Sequence, residues 1–320
     1  MRAVIGWAER HQVPLYLAAL AAGVAFGLAV PAASRPLESA ITPILGLLLY
    51  ATFLGVPFSA IGSAVRDGRF LVTVLLLNFV AVPAVVFALS RFVAGERAVL
   101  VGVLLVLLTP CVDYVIVFTG LAGGSGARLL AATPLLMLAQ MALLPAYLWL
   151  MVGGSFVAEL DLRPFVDAFL LLIVLPLAAA VATQLLAARA AWARRVDAAA
   201  TGLMVPLMMA TLAVVVASQV PGVAGRWTVL AGLLPLYVAF AAVMIALGRG
   251  AGSLARLDAP GRRAVVFSGV TRNSLVVLPL ALALPSGYAL TPLVVVTQTL
   301  VELLVMVAMV AYARRAMPRA

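Results

Sequence analysis

Apolar residues run along this chain in stretches of about 20, broken by short clusters of Arg, Gly and Pro. The runs fall near 13–32, 37–60, 69–92, 97–121, 128–153, 164–188, 197–220, 227–248, 263–284 and 290–313. An apolar stretch of about 20 residues is what one helix needs to cross a bilayer. The pattern therefore predicts an all-α integral membrane protein with ten transmembrane helices, one polytopic domain over 1–320. The start, with Arg2 to His11 ahead of an apolar run ending in Ala-Val-Pro-Ala-Ala-Ser, has the look of a leader with a cleavage site. A retained first helix is expected instead, because the run can span and has a counterpart later in the chain.

Composition points the same way. Of 320 residues 66% are hydrophobic and 10% charged, with mean hydropathy +1.22, far from the shares of a soluble domain. The net charge of +10 would suggest nucleic acid in a soluble protein, but here the cations sit in the gaps between apolar runs. All of them are Arg, which reads as codon bias. With the N-terminus in the cytoplasm, the inner segments collect Arg2, Arg10, Arg66, Arg69, Arg128, Arg189, Arg194, Arg195, Arg249, Arg256, Arg262, Arg263, Arg314, Arg315 and Arg319. The outer ones keep Arg35, Arg91, Arg97, Arg163 and Arg226. That asymmetry follows the positive-inside rule and places both termini in the cytoplasm of a cell (inner or plasma) membrane protein.

The two halves match at one offset. Pro14 and Pro176, Thr109 and Thr271, and Gln140 and Glu302 are each 162 residues apart, and Pro43 and Pro206 are 163 apart. Val-Pro-Leu at 13–15 returns as Leu-Pro-Leu at 175–177, and Thr-Pro-Ile-Leu at 42–45 as Val-Pro-Leu-Met at 205–208. Five spans per half is an odd number, so the second half enters from the opposite side. The expectation is two inverted five-helix repeats, about 13–153 and 164–313, as in many secondary transporters.

Clear candidates for an ionisable group in the hydrocarbon, away from the ends of the runs, are three: Asp113, Arg272 and Glu302. Such groups are costly in hydrocarbon and mark a cavity, a partner or a site. Asp113 lies in Leu-Thr-Pro-Cys-Val-Asp-Tyr, where Pro110 removes a backbone donor and is expected to break the fourth helix. Arg272 lies at the matching point of the ninth, in Gly-Val-Thr-Arg-Asn-Ser-Leu. Paired helix breaks point to a midplane binding site, since half-helix ends expose free N–H and C=O groups. Gln140 and Glu302 add a polar group to the fifth and tenth spans, with Thr133 and Gln298 nearby. The site expected from these positions has Asp113, Arg272 and Asn273 as substrate-binding residues and Glu302 as a candidate proton carrier. Thr109, Thr133, Gln140, Thr271, Ser274 and Gln298 are the supporting polar groups, and Pro110 is the break. Arg272 holding Asp113 or Glu302 as an ion pair is compatible with that role, and a buried carboxylate near a guanidinium is a candidate proton carrier. Asn78, beside Pro83, and Gln184 fit interhelical hydrogen bonds. Cys111, the single cysteine, suits either a small core hydrophobe or a soft ligand at the break. It excludes an internal disulfide or a multi-thiolate metal site, and neither a metal nor another cofactor is expected.

At these residues the chain resembles the bile acid:sodium symporter superfamily, and within it the arsenical-resistance permeases that export arsenite. Thr-Pro-Cys at 109–111 looks like the Pro-Cys element of their fourth span, and Leu-Val-Glu-Leu-Leu-Val-Met-Val at 300–307 like the acidic motif of their tenth. The resemblance implies crossing broken helices four and nine, Cys111 and Glu302 as the residues of arsenite export, and a proton as coupling ion. The sodium-coupled branch carries sodium ligands where this chain has Ser268, Arg272 and Asn273. A fixed guanidinium there predicts no dependence on sodium. Asp113 and Arg272 depart from the arsenite-permease pattern, and Arg272 equally suits a small organic anion.

Proton-coupled efflux of arsenite or antimonite is thus the first expectation, and a sodium-independent carrier of a small organic anion the second. An enzyme is not expected, since the single His lies at position 11, outside the runs, and no metal-ligand motif occurs. A scaffold would have no use for buried charges at matched breaks. The expected partners are a small-molecule or metalloid substrate, the proton and the lipid bilayer, with no nucleic acid. The basic stretches at 189–195 and 249–263 also favour anionic headgroups.

Overall fold

A computed structural model describes residues 7–8, 11–54, 67–112, 114–153, 170–223 and 226–316, and these are helical with short connections. Asp113 lies outside the described residues. Among the described residues seven helical stretches are long and apolar enough to cross a membrane: Pro31–Leu54, Gly68–Val93, Gly126–Val152, Leu170–Ala187, Met204–Gly222, Trp227–Leu254 and Thr291–Ala313. Pro14–Ala29 and Arg97–Leu107 are shorter apolar helices. The runs expected at 97–121 and 263–284 are each divided in two by a non-helical segment. One helix, Ala191–Gly202, was not foreseen, because Arg194, Arg195 and Asp197 give it no apolar run.

The helices are α1 (Gln12–Ala29), α2 (Ser34–Leu54), α3 (Gly68–Leu76), α4 (Val82–Ser90), α5 (Arg97–Leu107), α6 (Tyr114–Leu121), α7 (Gly126–Val152), α8 (Leu175–Ala187), α9 (Ala191–Gly202), α10 (Met204–Val223), α11 (Trp227–Leu254), α12 (Ala259–Val270), α13 (Ser274–Leu282) and α14 (Thr291–Ala316). They pack as two compact units, each made of one stretch from either half of the chain. The first is Met1–Pro57 with Leu162–Trp227, the second Phe58–Asp161 with Thr228–Ala320.

In the first unit α10 packs on α1 and α2. Gly23 and Gly27 stand against Ala213 and Ala217, so close that a Cβ on either glycine would lie 2.7 or 2.6 Å from the facing carbonyl oxygen. This is the small-residue spacing by which membrane helices approach, since lipid supplies no hydrophobic drive between them. Polar side chains join α2 to α8: Tyr50 Oη lies 2.9 Å from Thr183 Oγ1, and Gln184 Nε2 donates to Leu54 O at 3.0 Å. Gln184 thus makes the interhelical bond expected of it.

The second unit carries the interrupted helices. A π-turn, Leu77–Ala81, joins α3 to α4 just before Pro83. Pro83 has no N–H for Phe79 O, four residues earlier, and Tyr147 Oη of α7 donates to that carbonyl at 2.6 Å. At one end of the unit Arg128 ties two helix N-caps together. It contacts Asp67 Oδ2 at 3.1 Å and hydrogen-bonds Asp258, while Asp67 and Asp258 accept from Phe70 N and Gly261 N. The Arg128 guanidinium holds the Asp258 carboxyl below its ordinary value.

Candidate functional site

The two breaks meet. Beyond α5 the chain runs through Thr109, Pro110 and Cys111, and beyond α12 through Thr271, Arg272 and Asn273. Each Thr hydroxyl folds back on its own helix, Thr109 Oγ1 to Leu105 O at 3.0 Å and Thr271 Oγ1 to Phe267 O at 2.7 Å. The strands between are antiparallel and form a bridge centred on Pro110 and Arg272. Cys111 N donates to Thr271 O at 3.2 Å, and Asn273 N to Thr109 O at 2.8 Å. Backbone that has left its helix in a low-dielectric interior must find other partners, and here each break satisfies the other. Asn273 then caps α13, its Oδ1 accepting from Val276 N at 3.3 Å.

Arg272 has no exposed surface. Its Nη2 faces Ser268 O at 2.6 Å, Gly269 O at 2.8 Å and Asn78 Oδ1 at 2.8 Å, and its Nη1 donates to Leu107 O at 3.3 Å. The guanidinium carbon also lies 5.6 Å from the centre of the Phe240 ring. Three of these acceptors are carbonyls at the C-terminal ends of α12 and α5, where unpaired C=O groups concentrate negative partial charge. Asn78 is aimed by its own amide, which donates to Val74 O and to Ser268 Oγ at 3.0 and 2.9 Å. The guanidinium thus neutralises the ends of two half-helices.

Glu302, in the middle of α14, is buried at the bridge. Tyr114 Oη donates to its Oε1 at 2.8 Å, with Arg272 O a second acceptor at 3.2 Å. Arg272 N donates to Oε2 at 2.8 Å, and Gln298 Nε2 also donates there. The expected contact between Arg272 and Glu302 runs through the backbone N–H of Arg272, while its guanidinium turns to the helix ends. One carboxylate therefore holds the break between α12 and α13 and, through Tyr114, the first residue of α6.

Of the other expected residues, Cys111 is buried beside the bridge, and Thr133 bonds its own helix at Leu129 O. Gln140 Oε1, Gln298 Oε1, Asn273 Nδ2, Ser274 Oγ and Thr119 Oγ1 are buried without a hydrogen-bond partner. Asn273 and Ser274 bring unused polar atoms to the start of α13. A space of about 10 Å³ beside Glu302 and Gln298 is walled by Tyr237, Phe240 and Val305. Sequence reasoning did not assign Tyr114, Phe240 or Thr119. The signal for Tyr114 was available, because a tyrosine hydroxyl inside an apolar run must find a partner. Asn78 was read as an interhelical bond, which it makes, but not as the orienter of Arg272.

Apolar helices long enough to span a membrane and two helix breaks bonded to one another are marks of a multi-pass membrane transporter. Residues 42–226, more than half of the chain, match the Sodium Bile acid symporter family. The chain belongs to that family, whose members are transporters and not enzymes. The match ends before α12, so Arg272 and Glu302 lie beyond it. No curated protein matches the chain.

Proposed function

We propose that the chain is a ten-span secondary transporter of two inverted repeats that exports arsenite or antimonite in exchange for protons. In this reading Glu302 carries the proton, Cys111 supplies a thiol to the metalloid, and no sodium is needed. The observation that carries it is the carboxylate of Glu302, buried at the bridge and accepting from Tyr114, Gln298 and the Arg272 backbone. A proton on one of its oxygens makes that oxygen a donor, takes acceptor capacity from the groups bound there, removes the charge that strengthens the remaining bond, and so loosens the hold on the bridge. That is how a single titration acts on backbone geometry.

The repeat is supported by the bridge itself. At an offset of 162, Thr109, Pro110 and Cys111 correspond to Thr271, Arg272 and Asn273. The bond from Cys111 N to Thr271 O then exchanges with the bond from Asn273 N to Thr109 O. Each compact unit also contains one stretch from either half. Sodium independence is supported by Arg272: a tethered cation occupies the helix-end carbonyls that would otherwise attract a metal cation.

A second reading, a carrier of a small organic anion, is favoured by the unused Nδ2 of Asn273 and Oγ of Ser274 at the N-terminus of α13, where an anion is well placed. The anchor moves there from Arg272, whose guanidinium is held by backbone carbonyls. The deciding experiment measures arsenite resistance and intracellular arsenic in an efflux-deficient bacterial host. It compares the unaltered chain, Cys111→Ser and Glu302→Gln at matched membrane levels, in sodium and in choline buffer. Resistance from the unaltered chain alone, equal in both buffers, is the expected result. Correct insertion with no effect on arsenic sinks the arsenite reading and leaves the organic anion.

A further inference from the structure

A cavity of about 590 Å³ lies in the second unit between α11, α12 and α14, apart from the bridge. Its volume falls in the range of roughly 300–1,000 Å³ typical of small-molecule sites. Arg249, Arg262 and Arg263 line it together with Ser253 and Tyr312, and among the described residues no carboxylate does. The acidic group nearest in sequence, Asp258, is engaged by Arg128. From this basic rim the walls become apolar along all three helices: Ile245 on α11, Val266 and Phe267 on α12, Met309, Ala308 and Val305 on α14. Tyr312 and Val305 are seven residues apart, so the apolar wall on α14 runs for about 10 Å.

We propose that this cavity binds an anionic phospholipid, its phosphate held by Arg249 and Arg262 and one acyl chain lying inward toward Val305. Arg249 and Arg262, at the end of spanning helices and with no carboxylate partner among the described residues, select an anionic headgroup. Free phosphate satisfies the rim but gains nothing from the apolar wall, and a zwitterionic lipid gains the wall but brings its own cation to the rim. Val305, on the apolar wall of the cavity, also walls the small space at Glu302 and Gln298. A bound acyl chain therefore ends one side chain away from the carboxylate at the bridge.

The test uses the purified full chain in detergent, with dioleoyl-phosphatidylglycerol, dioleoyl-phosphatidylcholine or inorganic phosphate added. Retained lipid is read by native mass spectrometry and stability by thermal unfolding, neither of which depends on the transported substrate. The expected result is at least fivefold greater retention of phosphatidylglycerol, a rise in melting temperature with that lipid alone, and loss of both in the double variant Arg249→Gln with Arg262→Gln. Ala308→Phe, which fills the apolar part and keeps the charges, is expected to lower retention as well, and it decides the matter should the double variant not fold. Equal retention of both lipids, or undiminished retention in Ala308→Phe, overturns the proposal. An equal melting shift with phosphate alone overturns it too, and identifies a site for free anions.

Discussion

At the break between α5 and α6 the bridge residue is Pro110, which has no N–H. At the break between α12 and α13 it is Arg272, whose N–H goes to Glu302, thirty residues on. Thirty residues after Pro110 stands Gln140, and its Oε1 is buried with no hydrogen-bond partner. The same backbone frame is thus satisfied on one side by a carboxylate with three donors. On the other side the residue thirty positions on is a neutral amide, and the bridge residue is a proline that has nothing to donate. The difference teaches where charge chemistry is concentrated: an ionised carboxylate needs every donor the interior can offer, whereas an amide tolerates a missing one.

Removing the two acceptors is the strongest way to break this comparison. Glu302→Ala leaves Arg272 N–H and Gln298 Nε2 buried without their acceptor, at about 1–3 kcal/mol each, and Tyr114 Oη with Arg272 O in place of the carboxylate. Gln140→Ala is expected to cost about 1 kcal/mol, and thermal unfolding of both variants in detergent compares them. Equal losses would show that the asymmetry has no energetic content. Next in size, Arg272→Met strips the cation from Leu107, Ser268 and Gly269 carbonyls and from Asn78, a loss of about 3 kcal/mol. Asn78→Leu in that background should add less than it does alone, because the two act as one group.

Pro110→Ala sharpens the comparison from the other side by supplying the missing N–H. Its effect should stay within about 1 kcal/mol and should vanish when Gln140 is Leu. A double-mutant cycle reads the coupling, and a zero coupling energy separates Gln140 from the break. The smallest effect belongs to Asp258, well away from both breaks. Its carboxyl is held below its ordinary value by Arg128, so it binds fewer protons folded than unfolded and its contribution is present at neutral pH. That contribution fades as pH falls through the lowered value. Asp258→Asn should therefore lower the melting temperature slightly at pH 7 and not at all in strong acid. A gap that persists there would mean that the effect is not electrostatic.

Much of the site was legible in the chain. Pro110 announced one break, the offset of 162 located the other, and Glu302 stood out as a carboxylate in an apolar run. What could not be read was direction. Arg272 looks like an anchor for an anion until its guanidinium is seen among carbonyls, and Tyr114 looks like one more aromatic in a helix. Gly23 and Gly27 carry no signal until α10 is laid against them. Polar content is a property of the residue, whereas partnership depends on which turn of which helix comes near.

The sequence by itself determined the solvent and the elements. Runs of about 20 apolar residues exclude water as the main medium, and Pro110 with its polar neighbours marks a place where a helix stops, although Pro43, Pro134, Pro145, Pro221, Pro235 and Pro279 lie inside helices. Tertiary structure alone decided which groups answer one another across those breaks: Cys111 with Thr271, Asn273 with Thr109, Glu302 with Tyr114 and the Arg272 backbone. The physical reason is that helix formation is local and satisfied within a few residues. A broken helix in a membrane leaves donors and acceptors that only a distant segment can reach.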